Sequence, residues 1–223
     1  MVERSVQQKD GGSNPASSLQ FALTTLDDVS GFIKAHHYSH THPGGADFAF
    51  AARMDGMLVG ACLFGFMAGN PKASCVLKGY DNPKDYRELM RLVFYDEVPK
   101  NSESQFIGWC LRWLKNNTSI LAVISFADPK YGHSGIIYRA SNWLYTGLQN
   151  PDRPRLIING KEMHPRQAVD TFGTSSVDEL KKKGIEVKLK EREPKHRYVY
   201  VLKPELISCL RYAIIPFILQ KKR

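Results

Sequence analysis

Three groups of residues in this sequence have types and spacing that could do chemistry. The first is His36-His37-Tyr38-Ser39-His40-Thr41-His42, with four histidines in seven residues. Imidazole titrates near neutral pH, so such a run can supply a proton acceptor or, when neutral, metal ligands. The competing reading is a polar helix end whose histidines bond the last carbonyls. The second group is Asp128, where an apolar run ends at Asp128-Pro129, followed by His133 and Tyr138. A carboxylate at a strand end can accept a proton or hold a metal, and a tyrosine can protonate a leaving group or ligate iron. The plainer account makes Asp128 a turn cap and Tyr138 a core aromatic. The third is Lys100-Asn101-Ser102 at the start of a helix. Free backbone N–H groups there, with the lysine charge, could hold a phosphate, although an ordinary capped helix reads as simply.

The elements that must position these groups follow from hydrophobic periodicity. Residues 19–26 alternate as a first strand, and Asp27-Asp28 open a helix running to the histidine segment. Strands over 48–53 and 57–66 meet at Asp55-Gly56, a two-residue hairpin signal. A long connection over 68–85 leads to a strand over 88–95. Ser102 and Gln105 fit a capping box before the apolar stripe Phe106, Ile107, Cys110, Leu111, Leu114. A strand over 120–126 runs into Asp128, and a short Gly/Ser loop precedes a helical pattern of Ile136, Ile137, Ala140 and Leu144. Ligands in open α/β sheets sit beyond such strand ends. Further on come a strand over 155–158, a turn at Asn159-Gly160, helices over 164–172 and 177–183, and strands over 185–190 and 198–202. The last two are expected to pair through 191–196, and the tail to begin as a helix and break at Pro216. The order predicts an α/β fold, a mixed β-sheet flanked by helices on both faces.

Composition sets the bounds. The 223 residues, 43% hydrophobic, suffice for one catalytic domain over 19–223, preceded by a disordered polar arm over 1–18. Cys62, Cys75, Cys110 and Cys209 are widely spaced and show no zinc or CxxC pattern, so they read as reduced thiols of a cytoplasmic protein. The start lacks an apolar signal core, and the longest apolar tail, 213–219, is too short to span a membrane. No GxGxxG, GxxxxGK or GxSxG motif occurs, which argues against Rossmann dehydrogenases, Walker ATPases and α/β-hydrolases. The net charge of +9 lies wholly in 181–223, where 13 Lys and Arg face 4 Asp and Glu. A basic C-terminal extension on a neutral body suggests a polyanion partner, nucleic acid above all, against the alternative of a solvated lysine-rich face.

ELMRLVFYDEVPKNSESQFIGWCLRWL (88–114), followed by VISFADPKYGHSGIIYRASNWLYTG (123–147), resembles the Mom family of bacteriophage DNA-modification proteins. His37-Tyr38-Ser39 matches that family's early HYS-type motif, and KHRYVYVL (195–202) is also similar. The resemblance covers roughly 30–220. It implies a GNAT-like acyltransferase fold and an enzyme that converts adenine N6 in double-stranded DNA to a carbamoylmethyl (acetamido) derivative, shielding phage DNA from host restriction. It implies iron as a cofactor, with His37, Tyr38, Asp128 and Tyr138 as catalytic residues and metal ligands. His37 or Asp128 would be the base acting on an adenine flipped out or reached through the groove, flipping being favoured, and 181–223 would contact DNA phosphates. Trp109, Trp113 or Trp143 could stack on a base, with core packing the stronger reading for each. The Gly-rich pyrophosphate loop of acyltransferases is replaced by Val98-Pro99-Lys100-Asn101-Ser102-Glu103, which argues against acetyl-CoA and leaves an unidentified acyl or glycyl-type donor. Two other functions fit the same residues: an N-acyltransferase acting on a small amine or protein, and a non-catalytic DNA-binding anti-restriction protein. The chain could also pair as a homodimer.

Overall fold

The computed structural model describes residues 19–41, 43–67, 71–150 and 154–216. The expected arm over 1–18, His42 and the basic end 221–223 lie outside the described residues. In chain order the strands are β1 (Leu19–Thr24), β2 (Ala46–Met54), β3 (Met57–Gly65), β4 (Tyr86–Phe94), β5 (Ala122–Ala127), β6 (Leu144–Gln149), β7 (Arg155–Ile158), β8 (Lys161–Met163), β9 (Val187–Lys190) and β10 (Lys195–Val201). The helices are α1 (Leu26–His36), α2 (Ser102–Asn117), α3 (Ile136–Ala140), α4 (Pro165–Phe172) and α5 (Val177–Lys182). Seven strands form one sheet in the order β1-β2-β3-β4-β5-β10-β6, and β8-β7-β9 form a second. β4 and β5 run parallel from Tyr86↔Ala122 to Glu88↔Ile124, whereas β10 is antiparallel to both β5 and β6. The expected mixed α/β sheet is therefore present. Two compact units divide the chain: one holds the described residues up to Gly65 with Leu89–Trp113, the other Phe66–Glu88 with the described residues from Leu114 on.

In the first unit α1 starts at Thr25, which exchanges side-chain and backbone hydrogen bonds with Asp28 in a capping box. Its buried stripe, Val29 and Ile33, lies against Ala49, Ala51, Ala61 and Leu63. The small alanines let the helix approach the sheet closely. Asp55 (φ 52°) and Gly56 (φ 81°) make the expected tight turn between β2 and β3. Phe21, Phe48 and Phe50 meet Phe106, Trp109 and Trp113 of α2 as tilted and edge-on ring pairs. Trp109 and Trp113 are thus packing residues.

In the second unit Ala122 and Ile124 of β5 join Val199 and Val201 of β10, Tyr86 and Leu77 in an apolar cluster. The opposite face of the same strands carries Ser125 and Tyr198, directly paired in register, with α3 beside them through the Tyr138–Tyr198 ring contact. A separate small core, Leu156, Ile158, Ala168, Leu180 and Val187, holds α4 and α5 to the second sheet.

Four expectations are corrected. The helical pattern to Leu144 stops at Ala140: Ser141 turns its hydroxyl back onto the Ile137 carbonyl, Asn142 is left-handed (φ 60°), and Leu144 begins β6. β9 does not pair with β10. It pairs with β7, because that register sends Val187 into the small core, and β10 lies between β5 and β6. Ser102 does not cap α2 through Gln105: its hydroxyl donates to the Pro99 carbonyl, and the Gln105 N–H donates to the carbonyl of Asn101. The tail starts as a 3-10 segment, Pro204–Cys209, in place of an α-helix. All four cysteines are unpaired thiols, three of them buried.

Gly135, just before α3, has φ 74°, and a Cβ there would lie 2.3 Å from the Tyr198 ring. Gly132 has almost the same φ, 73°, but open space. Gly135→Ala is expected to cost about 1–3 kcal/mol more than Gly132→Ala, since both bear the left-handed penalty and only one overpacks. Thermal denaturation of the two variants checks this. Equal losses would mean that the Tyr198 ring yields without cost.

Candidate functional site

The histidine segment belongs to the first unit. His37 follows α1, with its N–H donated to the Ile33 carbonyl at 2.9 Å, and its side chain is buried. The Ser39 N–H donates to His37 Nδ1 at 3.1 Å, and Ser39 Oγ lies 2.8 Å from the same atom. Nδ1 is therefore an acceptor, and the proton of the neutral ring sits on Nε2. Tyr38 is 47% exposed and lies 4.2 Å, centroid to centroid, from the His37 ring. His40 (φ 49°) bonds the Lys34 carbonyl through Nδ1 at 3.1 Å, the capping role open to any histidine here. His36 packs between Phe32 and Tyr95. Arg91 on β4 bonds the Thr41 carbonyl and ties the segment to the sheet.

Asp128 and Tyr138 belong to the second unit. Asp128 caps the short turn after β5, accepting the Lys130 N–H at 3.1 Å. Its other oxygen forms an ion pair with Lys195 Nζ at 2.8 Å, and its side chain is 14% exposed. Burial alone would raise its pKa. Lys195, through hydrogen bond and charge, with the Lys130 N–H and Arg192, outweighs burial and holds the carboxyl below its ordinary 3.8. Asp128 makes no bond to Tyr138. Tyr138 is buried, and its hydroxyl accepts a hydrogen bond from Ser125 Oγ at 2.8 Å. Its ring contacts Trp143 and Tyr198 at 5.2 and 4.9 Å. Trp143 is buried, and its Nε1 has no hydrogen-bond partner among the described residues. His133 stays in the exposed turn, its N–H on the Asp128 carbonyl.

β10 and β6 contribute groups that the sequence reading missed. Lys195 neutralises Asp128. Tyr198 donates to the Ser134 carbonyl at 2.9 Å, and burial pushes its pKa up to about 12. Tyr145 and His196 Nδ1 are hydrogen-bonded at 2.9 Å. Burial raises the pKa of Tyr145 and lowers that of His196. The signal for these residues was strand parity, since His196, Tyr198 and Tyr200 share one face of β10. It could be used only after β10 was placed beside β5.

Among the described residues no three His, Cys, Asp or Glu side chains group as a metal site. The Asp128–Tyr138 pair does not fit an iron centre as arranged. An ammonium already occupies the carboxylate, and the tyrosine oxygen accepts a hydrogen bond from Ser125 inside an aromatic cluster. Lys100 and Asn101 are exposed at the start of α2, Asn101 at φ 68°, while the Ser102 hydroxyl is buried and turned to Pro99.

The chain is thus an α/β protein built on a mixed sheet, with the Asp128 carboxylate at the end of β5. Solved structures similar to it include a GNAT family N-acetyltransferase from Escherichia coli in complex with CoA (12% identity, TM-score 0.49, 89% of each chain covered). Another is an acetyltransferase from Salmonella typhimurium with acetyl-CoA (9% identity, TM-score 0.49, 84% of this chain and 95% of that one). The chain belongs to the Mom protein family, which matches residues 18–218. A protein of Escherichia phage Mu, the methylcarbamoylase mom, is 31% identical over 116 residues, 52% of this chain. The match spans 48% of that protein's length.

The ion pair makes a pH prediction. The folded pKa of Asp128 is depressed, so its stabilisation is present above the unfolded value and is lost as pH falls through the folded one. In Lys195→Met the burial contribution loses its main counterweight. Asp128 should then titrate at higher pH, and the acid limb of unfolding should move up with it. Carboxyl carbon chemical shifts followed against pH read the change directly. An unmoved Asp128 titration would mean that Lys195 does not hold the carboxylate in solution.

Proposed function

We propose that this Mom-family protein is a phage DNA-modification enzyme. It converts the N6 amine of adenine in double-stranded DNA to a carbamoylmethyl (acetamido) derivative and so protects phage DNA from host restriction. The family match over 18–218 carries this reading, and the phage relative named methylcarbamoylase supports it. The basic 181–223 segment supplies the attraction for DNA.

Adenine N6 is a weak nucleophile because its lone pair is delocalised into the ring. A group that accepts a hydrogen bond from the amine localises that pair; as the new N–C bond forms, the bond from the transferred carbon to its carrier in the donor breaks, the carrier leaves with that electron pair, and one N6 proton passes to solvent. Asp128 is ionised at neutral pH and partly buried, so it suits this orienting role, with Lys195 holding its position. In the first unit, taken by itself, His37 carries its proton on Nε2 and so can donate a hydrogen bond, with Tyr38 beside it. Tyr138, fixed by Ser125, orients and walls the strand end. No step runs through iron. The adenine is flipped out of the duplex, since chemistry on a base requires it outside the stack.

The protein is expressed in bacteria, the DNA is digested to nucleosides, and deoxyadenosine is examined by mass spectrometry. A heavier deoxyadenosine is expected with the wild type. Asp128→Asn, Tyr138→Phe and His37→Gln should each reduce the mark by about a hundredfold or more while the protein stays folded. A folded Asp128→Asn protein with full activity would sink the assigned site. Coenzyme A turnover with unmarked DNA would instead indicate an N-acyltransferase of another amine. Tight binding with unaltered nucleosides would indicate a protein that blocks restriction by occupancy.

A further inference from the structure

β6 and β10 are antiparallel neighbours, with Lys195 opposite Gln149. Strands so placed are usually joined by a hairpin of about 2–5 residues. Here the connection holds β7, β8, α4, α5 and β9, and it has its own sheet and its own core. It is an inserted lobe. It rejoins the large sheet at Lys195, next to the pair His196↔Ala127, at the end of β5 that carries Asp128.

The charges of the lobe act on that same end. Arg192 acts on the Asp128 carboxylate and on the ring of His164, which caps α4. Lys130, in the turn after Asp128, acts on Glu162 of β8. Arg155 and Lys190 are cross-strand partners on β7 and β9, and both reach Glu162, at 3.9 and 2.7 Å. Arg155 and Arg166, with Arg192, lower the pKa of His164, although burial contributes most. Lys130, Arg155, Arg166, Lys190, Arg192 and Lys195 thus form one electrostatic neighbourhood. The carboxylates bonded within it are Asp128 and Glu162, with Glu191 and Glu193 flanking Arg192 in the chain. These six cations outnumber the four carboxylates beside them, and a polyanion laid across them would neutralise the excess. Their rim position beside a strand end suits a regularly charged backbone.

We propose that the inserted lobe and Lys130 form a clamp on the phosphate backbone of a nucleic-acid duplex, setting the duplex at the Asp128 end of β5. The proposal rests on the reading above that DNA is the substrate, and it names the lobe as the element that holds it. The clamp residues lie on the lobe and on one turn, and 155, 166 and 130 fall outside the basic segment 181–223.

The full-length protein is tested by fluorescence anisotropy with a labelled duplex over a series of salt concentrations. The combined variant Arg155→Gln, Arg166→Gln, Arg192→Gln should bind at least about tenfold more weakly near 0.1 M salt. Its plot of log affinity against log salt should be shallower by about 2–3, the slope contributed by that number of phosphate contacts. Lys84→Gln with Lys115→Gln, which removes two lysines outside the lobe, should leave the slope as in the wild type, and circular dichroism checks that both variants fold. An unchanged slope in the triple variant, or an equal drop in the control, overturns the clamp, and if the wild type still marks DNA the enzymatic reading survives. Preference for a single strand over the duplex also overturns it. A wild-type protein that neither binds nor marks duplex DNA overturns the reading on which the clamp rests.

Discussion

β10 lies between β5 and β6, with Ala127 opposite His196 and Ser125 opposite Tyr198. The candidate site of the second unit depends on this register. It places Lys195 at the end of β5, where the ammonium meets Asp128, and it aligns Tyr198 with Tyr138 and the Ser134 carbonyl. A slip of one residue would exchange the faces of the strand. Arg197 shows what would follow. It is buried on the opposite face, bonded to Thr146 and Gln149 and stacked 3.3 Å from the centroid of Tyr212. A slip would set that guanidinium among the tyrosines and drive Tyr198 into the apolar cluster. The cost of leaving either group without its partners fixes the register.

The same register sorts protonation states. At neutral pH the strand end presents one carboxylate and one ammonium, joined. Around them Tyr198, pushed up to about 12, and Tyr145 keep their protons, and His196 is biased toward the neutral ring. Neighbouring groups whose environments push their pKa values apart divide roles between them. Here the division leaves Asp128 as an ionised acceptor held by the Lys195 ammonium and the Lys130 N–H, while the tyrosines of β10 and β6 stay neutral. That arrangement suits orientation of an amine better than bulk proton removal. It also gives the carboxylate a different part from the one its residue type alone suggested.

Much of the fold was legible in the chain because the signals were local. The acidic start of α1, the Asp55-Gly56 turn and the apolar stripe of α2 each depend on neighbours within a few residues. The strand ending at Asp128 was legible for the same reason. The partner of β9 was not, because period-2 alternation tells which residues share a face but not which strand lies alongside. Choosing the nearest strand in sequence gave a β9–β10 hairpin and hid β6, whose Leu144 also fitted the helical pattern of α3. Lys195, Tyr145 and His196 could not be assigned to the site until that pairing was known. His37 was found by residue type, but its tautomer depends on the backbone N–H of Ser39, which no spacing rule predicts.

The charge of the C-terminal part is divided more finely than its sum. Arg197 and Arg211 are spent inside the fold, Arg197 on Thr146, Gln149 and Tyr212, Arg211 on Asp81. Lys183 donates to the Phe172 carbonyl at the end of α4, and Lys188 pairs with Glu186. A basic segment read as a uniform tail would count all of these toward a polyanion. The lobe inserted between β6 and β10 carries Arg155, Arg166, Lys190 and Arg192, of which Arg155 and Lys190 pair with Glu162. Net charge alone therefore does not say which residues would meet a polyanion. Topology adds what the sum hides: the strand that carries Lys195 begins where the lobe ends, and from there Arg192 acts on the Asp128 carboxylate.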